Sequence, residues 1–230
     1  MKKDKKPIMK IWKRIGFAAL GCLGLLALLC SIAAASITNQ HLMHEGFLAH
    51  AETKHLDVKA SEYESYAQAI SAYLDGNADT LPETFSEKEN LHMQDVRGIV
   101  NFLKAMRWTG GGLVLSVLAA VYLFGKENKS RLMNEAFRGF AYGSIVLLAL
   151  AAGIALWGAL DFSGMFTAFH QIVFTNDLWL LNLQTDLLVA LMPEGFFVWY
   201  FGEMLKSLLP VLGIMLCLIV AWFKVGRKEA

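Results

Sequence analysis

The chain has 230 residues, 56% of them hydrophobic, with a mean hydropathy of +0.44 and a formal net charge of +1. So apolar a composition excludes an ordinary soluble domain. The apolar residues fall in blocks of about twenty, the length a helix rising about 1.5 Å per residue needs to cross a hydrocarbon core of about 30 Å, so a polytopic helical membrane protein is predicted. The small net charge hides a segregation: Lys and Arg crowd Met1 to Arg14, directly before an apolar run. Basic residues placed there orient a span and give no sign of nucleic-acid binding.

The first span is predicted over residues 15–37. Its Ala33-Ala34-Ala35-Ser36 segment looks like a signal-peptide cleavage site, but the apolar run exceeds the roughly 7 to 15 residues of a signal core. An uncleaved anchor with a cytoplasmic N-terminus is expected. Cys22, Cys30 and Cys217 all lie in predicted spans, which leaves no disulfide framework to infer.

Residues 38–107 form a polar segment expected outside the cell, too long for a simple connection between packed helices. Tyr63, Tyr66, Ile70, Tyr73 and Leu74 recur at helical spacing, and Asp75-Gly76-Asn77 supplies the turn that ends this helix. Ser86 and Glu89 have the spacing of a capping box, which opens a second helix. On it His92, Asp95, Ile99, Phe102 and Met106 share one face, expected to be buried, while Lys88, Arg97 and Lys104 point elsewhere.

A second span is expected over 108–124, with Trp108 at the interface and Gly110-Gly111-Gly112 allowing a bend or close helix packing. A basic cytoplasmic loop follows at 125–139 and a third span at 140–160. The external segment 161–204 is too apolar to float in water. It concentrates His170, Asn176, Asp177, Trp179, Asn182, Asp186 and Glu194 between apolar runs, and polar groups near hydrocarbon point to function. Phe166, Phe169, Val173 and Phe174 form an apolar face on a short helix. Leu187 to Met192 forms another apolar piece, capped by Thr185 or Asp186 and broken by Pro193. The whole suits interfacial or re-entrant structure.

A fourth span at 205–223 ends before Lys224, Arg227 and Lys228. The expected fold is thus an all-α integral membrane protein, one membrane domain over 1–230, with four transmembrane helices and two external segments of amphipathic or interfacial helices. Both termini are cytoplasmic, as the positive-inside rule requires. His92 and Asp95 then face the same side of the membrane as His170, and are expected to meet it.

The pattern around HMQDV at His92 to Val96, with FHQIVFTNDLWLLNLQTD at Phe169 to Asp186 and the PEGFF that follows, resembles the lipoprotein intramolecular transacylases of Gram-positive bacteria and their wider family of integral membrane proteins. The resemblance covers most of the chain, including the YLDG segment at Tyr73 to Gly76. Leu183 departs from it, standing after Asn182 where a proline is expected.

The resemblance implies a cell-membrane enzyme whose partners are diacylated bacterial lipoproteins and membrane lipid. It would move the sn-2 acyl chain of the diacylglyceryl group to the α-amino group of the N-terminal cysteine, giving the lyso-form lipoprotein. Such aminolysis brings its own nucleophile, consistent with a sequence that has no Gly-x-Ser-x-Gly elbow. His92 and His170 are expected to share the acid and base roles, in an order the sequence leaves open, with Asp95 helping to form the site. Asn176 is the candidate oxyanion donor and Trp179 a substrate-positioning residue, while Asp177 and Asp186 hold turns by capping. No cofactor and no metal are expected. Two alternatives stay open on the residues alone: a non-catalytic binding or assembly protein, and a membrane metallohydrolase using His92, Asp95 and His170 as ligands. His41, His44, His50 and His55 are read as solvated surface.

Overall fold

The computed structural model describes residues 6–124 and 129–226. Residues 125–128, part of the expected cytoplasmic loop, lie outside the described residues, as do 1–5 and 227–230 with Lys2, Lys3 and Lys5 of the N-terminal basic run, Arg227 and Lys228. Among the described residues the chain is helical, without strands: α1 (Lys6–Ile37), α2 (Gln40–His50), α3 (Tyr63–Asp75), α4 (Glu87–Phe124), α5 (Lys129–Leu160), α6 (Phe162–Val173), α7 (Leu187–Leu191) and α8 (Glu194–Gly226).

Two stretches are long and apolar enough to cross a membrane among the described residues, Ile15–Ile37 and Phe137–Leu160, the regions of the first and third expected spans. The second and fourth expected spans are the C-terminal parts of α4 and α8, each continuous with the helical stretch before it. Likewise α5 already begins at Lys129, so much of the expected loop is helix. A helix that satisfies its own backbone hydrogen bonds need not stop at the point where its side chains turn polar.

The chain divides into two compact units, the described residues of 1–31 with 103–156, and 32–102 with the described residues from 157 onward. In the first, α1 and α5 approach with their backbones nearly touching. A Cβ on Gly21 would collide with the Phe140 backbone, one on Gly139 with Phe17 and one on Gly143 with Ala18 and Cys22. Small residues that let helices close up are the usual device where lipid supplies no hydrophobic driving force. Gly110 also sits in a close contact, against Ala27 and Leu23, whereas Gly111 and Gly112 face open space and α4 runs through all three.

The second unit has its own apolar core, built from α2, α3, the first turns of α4, α7 and the start of α8. The α3 stripe read from the sequence, Tyr63, Tyr66, Ile70, Tyr73 and Leu74, is buried as expected. Phe47 lies edge-on to Tyr63 at 6.2 Å and 5.6 Å from Phe196, and full burial of such a side chain contributes about 1.5–3 kcal/mol. Gly46 is what allows α2 and α8 to meet, since a Cβ there would strike the Phe196 ring. Gly76, at φ 92°, takes the left-handed conformation that ends α3, with its N–H on the Ala72 and Tyr73 carbonyls at 3.1 and 3.2 Å.

On α4 the buried stripe is rotated from the expected one. Glu89, His92, Met93 and Val100 are buried, Asp95 lies at the rim and Phe102 is 62% exposed. Residues 89, 93, 96 and 100 cluster on one side of the helix, whereas Phe102 falls beyond the edge of that side at the end of the unit.

Candidate active site

The start of α4 carries one half of the site. Ser86 and Glu89 form the expected capping box, with Glu89 N–H on Ser86 Oγ at 3.3 Å and Ser86 N–H on Glu89 Oε2 at 2.6 Å. The other carboxylate oxygen, Oε1, accepts the N–H of Leu188 at 2.6 Å. Glu89 is only 1% exposed, and a buried carboxylate is tolerable when backbone donors saturate it. The same side chain therefore caps α4 and pins the start of α7 to it.

Two further ties flank His92. Lys88 Nζ donates to the Leu180 carbonyl, and Asp95 Oδ2 accepts from Asn176 Nδ2 at 2.9 Å. Lys88, Glu89 and Asp95 thus hold the segment from Asn176 to Leu188 against α4, and His92 lies within this grip. The His92 ring is buried, edge-on to Phe174 at 5.2 Å, and its Nδ1 has no hydrogen-bond partner among the described residues.

The short helix α6 supplies the other half. Asp161 caps it, accepting the Gly164 N–H at 2.9 Å, and Ser163 Oγ donates to Glu194 Oε2 at 2.7 Å, fastening it to the start of α8. Near its C-terminus His170 is buried within an aromatic surround: ring centroids lie at 4.1 Å for Phe166, 5.3 Å for Phe169, 5.4 Å for Phe174 and 4.9 Å for Trp179. His170 Nδ1 is 2.7 Å from the Phe166 carbonyl. A carbonyl only accepts, so Nδ1 carries the hydrogen and the neutral ring keeps its lone pair on Nε2.

The two imidazole centroids are 6.3 Å apart, with rings inclined by 31°. Burial pushes the pKa of His92 down to about 4; the charges of His170 and Lys88 act in the same direction and Asp95 opposes them. Burial also lowers the pKa of His170, opposed by its hydrogen bond to the Phe166 carbonyl. Near neutral pH both rings are uncharged, the form in which a histidine accepts a proton.

Asn176 is held twice, since its Oδ1 also accepts the Leu178 N–H at 3.1 Å. One of its two amide hydrogens goes to Asp95, which leaves one for another acceptor. The Asp177 carbonyl accepts the Leu180 N–H at 3.2 Å, while its carboxylate makes no hydrogen bond among the described residues. Asp186 sits at the N-cap of α7, but its carboxylate turns back into the preceding loop. There it accepts the Asn182 N–H at 2.7 Å and the Thr185 hydroxyl at 3.2 Å. That turn closes on the Asn182 carbonyl through the N–H groups of Thr185 and Asp186, so it forms with Leu183 in place of the expected proline. The Leu183 carbonyl instead receives His55 Nε2 at 2.6 Å, so His55, exposed as expected, is tied to this loop. His41 remains exposed, 3.6 Å from Glu45.

A cavity of about 590 Å³ opens beside the histidines, lined by Thr167, Gln171, Phe174, Thr175, Asn176, Asp177, Trp179 and Leu180. Among the described residues no three His, Cys, Asp or Glu side chains converge as a metal-ligand set. Two features had little signal in the sequence. The link from Glu89 to Leu188 spans 99 residues, and the Phe166 carbonyl acts through the backbone, although its spacing of four residues from His170 is that of one helical turn.

The sequence model described as "Lipoprotein intramolecular transacylase Lit" matches residues 17–197. The chain is therefore an enzyme of the membrane acyltransferase class, working in lipoprotein modification. It belongs to the lipoprotein intramolecular transacylase (Lit) family. This assignment sets aside the binding-protein and metallohydrolase alternatives. The fold is similar to that of the membrane integral Lit from Bacillus cereus solved in meso, with a TM-score of 0.70 and 21% identity over 97% of this chain and 99% of that one. It is also similar to two variants of that protein in which one histidine is replaced by arginine or by alanine. Each has a TM-score of 0.66 and 21% identity over 97% of this chain, covering 95% and 97% of the respective variant. A comparison with curated proteins gives no match.

Proposed function

We propose that this transacylase moves the sn-2 acyl chain of a diacylglyceryl lipoprotein to the α-amino group of its N-terminal cysteine, with His170 and His92 as the proton-transfer groups. The observation that carries this is the pair of buried, uncharged imidazoles 6.3 Å apart, one of them with its Nε2 lone pair fixed by the Phe166 carbonyl.

The neutral amine attacks the ester carbonyl, forming the C–N bond. His170 Nε2 takes the proton that the amine loses. Collapse of the tetrahedral intermediate breaks the bond to the glycerol oxygen, which leaves as a hydroxyl after receiving a proton. Because both rings begin uncharged, the proton given to the glycerol oxygen is the one taken from the amine, delivered by His170 or relayed through His92. The sum is one ester consumed and one amide formed, with no water, metal or cofactor entering. Each proton transfer contributes about 10²- to 10⁴-fold in rate, and alignment of amine and ester within one substrate recovers about 7 to 11 kcal/mol. The remaining amide hydrogen of Asn176 is the donor for the oxyanion, Asp95 holds Asn176 in place, and Trp179 positions substrate beside His170.

The chain acts as a single membrane domain with four spans at about 15–37, 108–124, 140–160 and 205–223, both termini in the cytoplasm and the histidines at the external face. The distribution of Lys and Arg in the sequence supports that orientation. Its partners are diacylated lipoproteins and the surrounding lipid. Expression in bacteria that lack their own lipoprotein N-acylation, followed by mass spectrometry of a lipoprotein N-terminus, tests the reaction. An N-acylated cysteine on a lyso-glyceryl thioether is expected; a free amine on an intact diacylglyceryl group contradicts it.

A further inference from the structure

Helix α6 has two faces of opposite character. Phe169 and Ile172, 47% and 83% exposed, stand on one side, and with about 3.6 residues per turn Thr167 and Gln171 stand on the other. His170 lies between them. Thr167 and Gln171 open into the cavity, and the rings of Phe174 and Trp179 line that cavity while also flanking the His170 ring.

A lipoprotein presents two chemically distinct parts to such a site, its acyl chains and the peptide that follows the modified cysteine. Acyl chains gain from apolar contact and lose where they cover unpaired polar groups. The exposed Phe169 and Ile172 side suits them, whereas the hydroxyls of Thr167 and Thr175, the amide of Gln171 and the carboxylate of Asp177 suit a peptide backbone. Asp177 stands out among these. The residue is exposed and lines the cavity, and its carboxylate takes no hydrogen bond from any described residue, so it is available to a ligand.

Resting on the transacylase reading above, we propose that this cavity takes the peptide segment immediately after the acylated cysteine. Within it Asp177 reads the charge of that segment, favouring a cationic side chain over an acidic one.

The test uses the purified full chain in detergent. Its substrates are three synthetic diacylated lipopeptides that differ only in carrying Lys, Gln or Glu directly after the cysteine. For the parent protein kcat/KM is expected to fall from Lys to Gln to Glu, by about tenfold across the series. Asp177→Asn is expected to flatten the series and Asp177→Lys to invert it, with the change appearing in KM. An unchanged Lys-to-Glu ratio in Asp177→Asn overturns the proposal while leaving the transacylase reading in place, and this variant suffices should Asp177→Lys fail to fold. Absence of turnover with all three peptides in the parent protein overturns both.

Discussion

Asn176 gives its side-chain amide to the Asp95 carboxylate at 2.9 Å, joining residues 81 positions apart in the chain. Asp95 therefore reaches the cavity through Asn176, which it holds at the cavity edge. Removing either partner should leave the Thr175–Leu180 segment under-restrained and lower kcat by about tenfold, the scale of a hydrogen bond to a charged group. Asp95→Ala and Asn176→Ala combined should be little worse than the more damaging single change. Steady-state kinetics of the four proteins measures the coupling, and effects that multiply would show that the two residues act independently.

The uncharged state of His92 makes stability depend on pH with a definite sign. Folding lowers its pKa from 6.5 to about 4, so below the unfolded value the unfolded chain binds the proton first. Stability is then lost as pH falls from the unfolded towards the folded pKa. His170, also lowered, adds to the same slope. Thermal unfolding in detergent should show Tm decreasing between about pH 7 and about pH 5, with a shallower slope in His92→Gln. An identical slope in that variant would mean that His92 is not buried in its neutral form.

Activity should follow a different group. With the pKa of both histidines lowered by burial, the remaining requirement near neutral pH is a neutral substrate amine, whose pKa is about 7.7–8.0. The dependence of kcat/KM on pH should keep rising through that range. A plateau reached near the ordinary histidine pKa would point to a catalytic imidazole that is not depressed.

Glu89 should matter for stability more than for chemistry. Both of its oxygens take backbone N–H groups while it is almost fully buried, and a Gln in its place turns an NH₂ group towards one of those donors. Glu89→Gln should cost about 2 kcal/mol, seen as a lower Tm, and Glu89→Asp should not restore it because the shorter side chain cannot span both donors. An unchanged Tm would show that the contact to Leu188 is dispensable.

Local physics made much of this legible in the sequence. The Ser86–Glu89 cap, the α3 stripe and the end of α3 at Gly76 depend on neighbours within a few residues, and each formed as read. The juxtaposition of His92 with His170 followed from placing both on one side of a membrane, and the rings do lie side by side. Partners fixed by long-range packing were hidden. Nothing near Asp186 shows that its carboxylate turns back to Asn182 rather than into α7, and nothing near Glu89 announces Leu188. The rotation of the α4 stripe away from Phe102 depends on where the surrounding core ends, which periodicity alone does not contain.

The decisive measurement is turnover of a synthetic diacylated lipopeptide by the purified protein and by His170→Gln, with both proteins first shown to unfold cooperatively at similar temperatures. The parent protein should yield the N-acylated lyso product, and His170→Gln should lower kcat by about 10²- to 10⁴-fold. Full activity in His170→Gln would remove His170 from the chemistry and with it the proton route proposed for this enzyme.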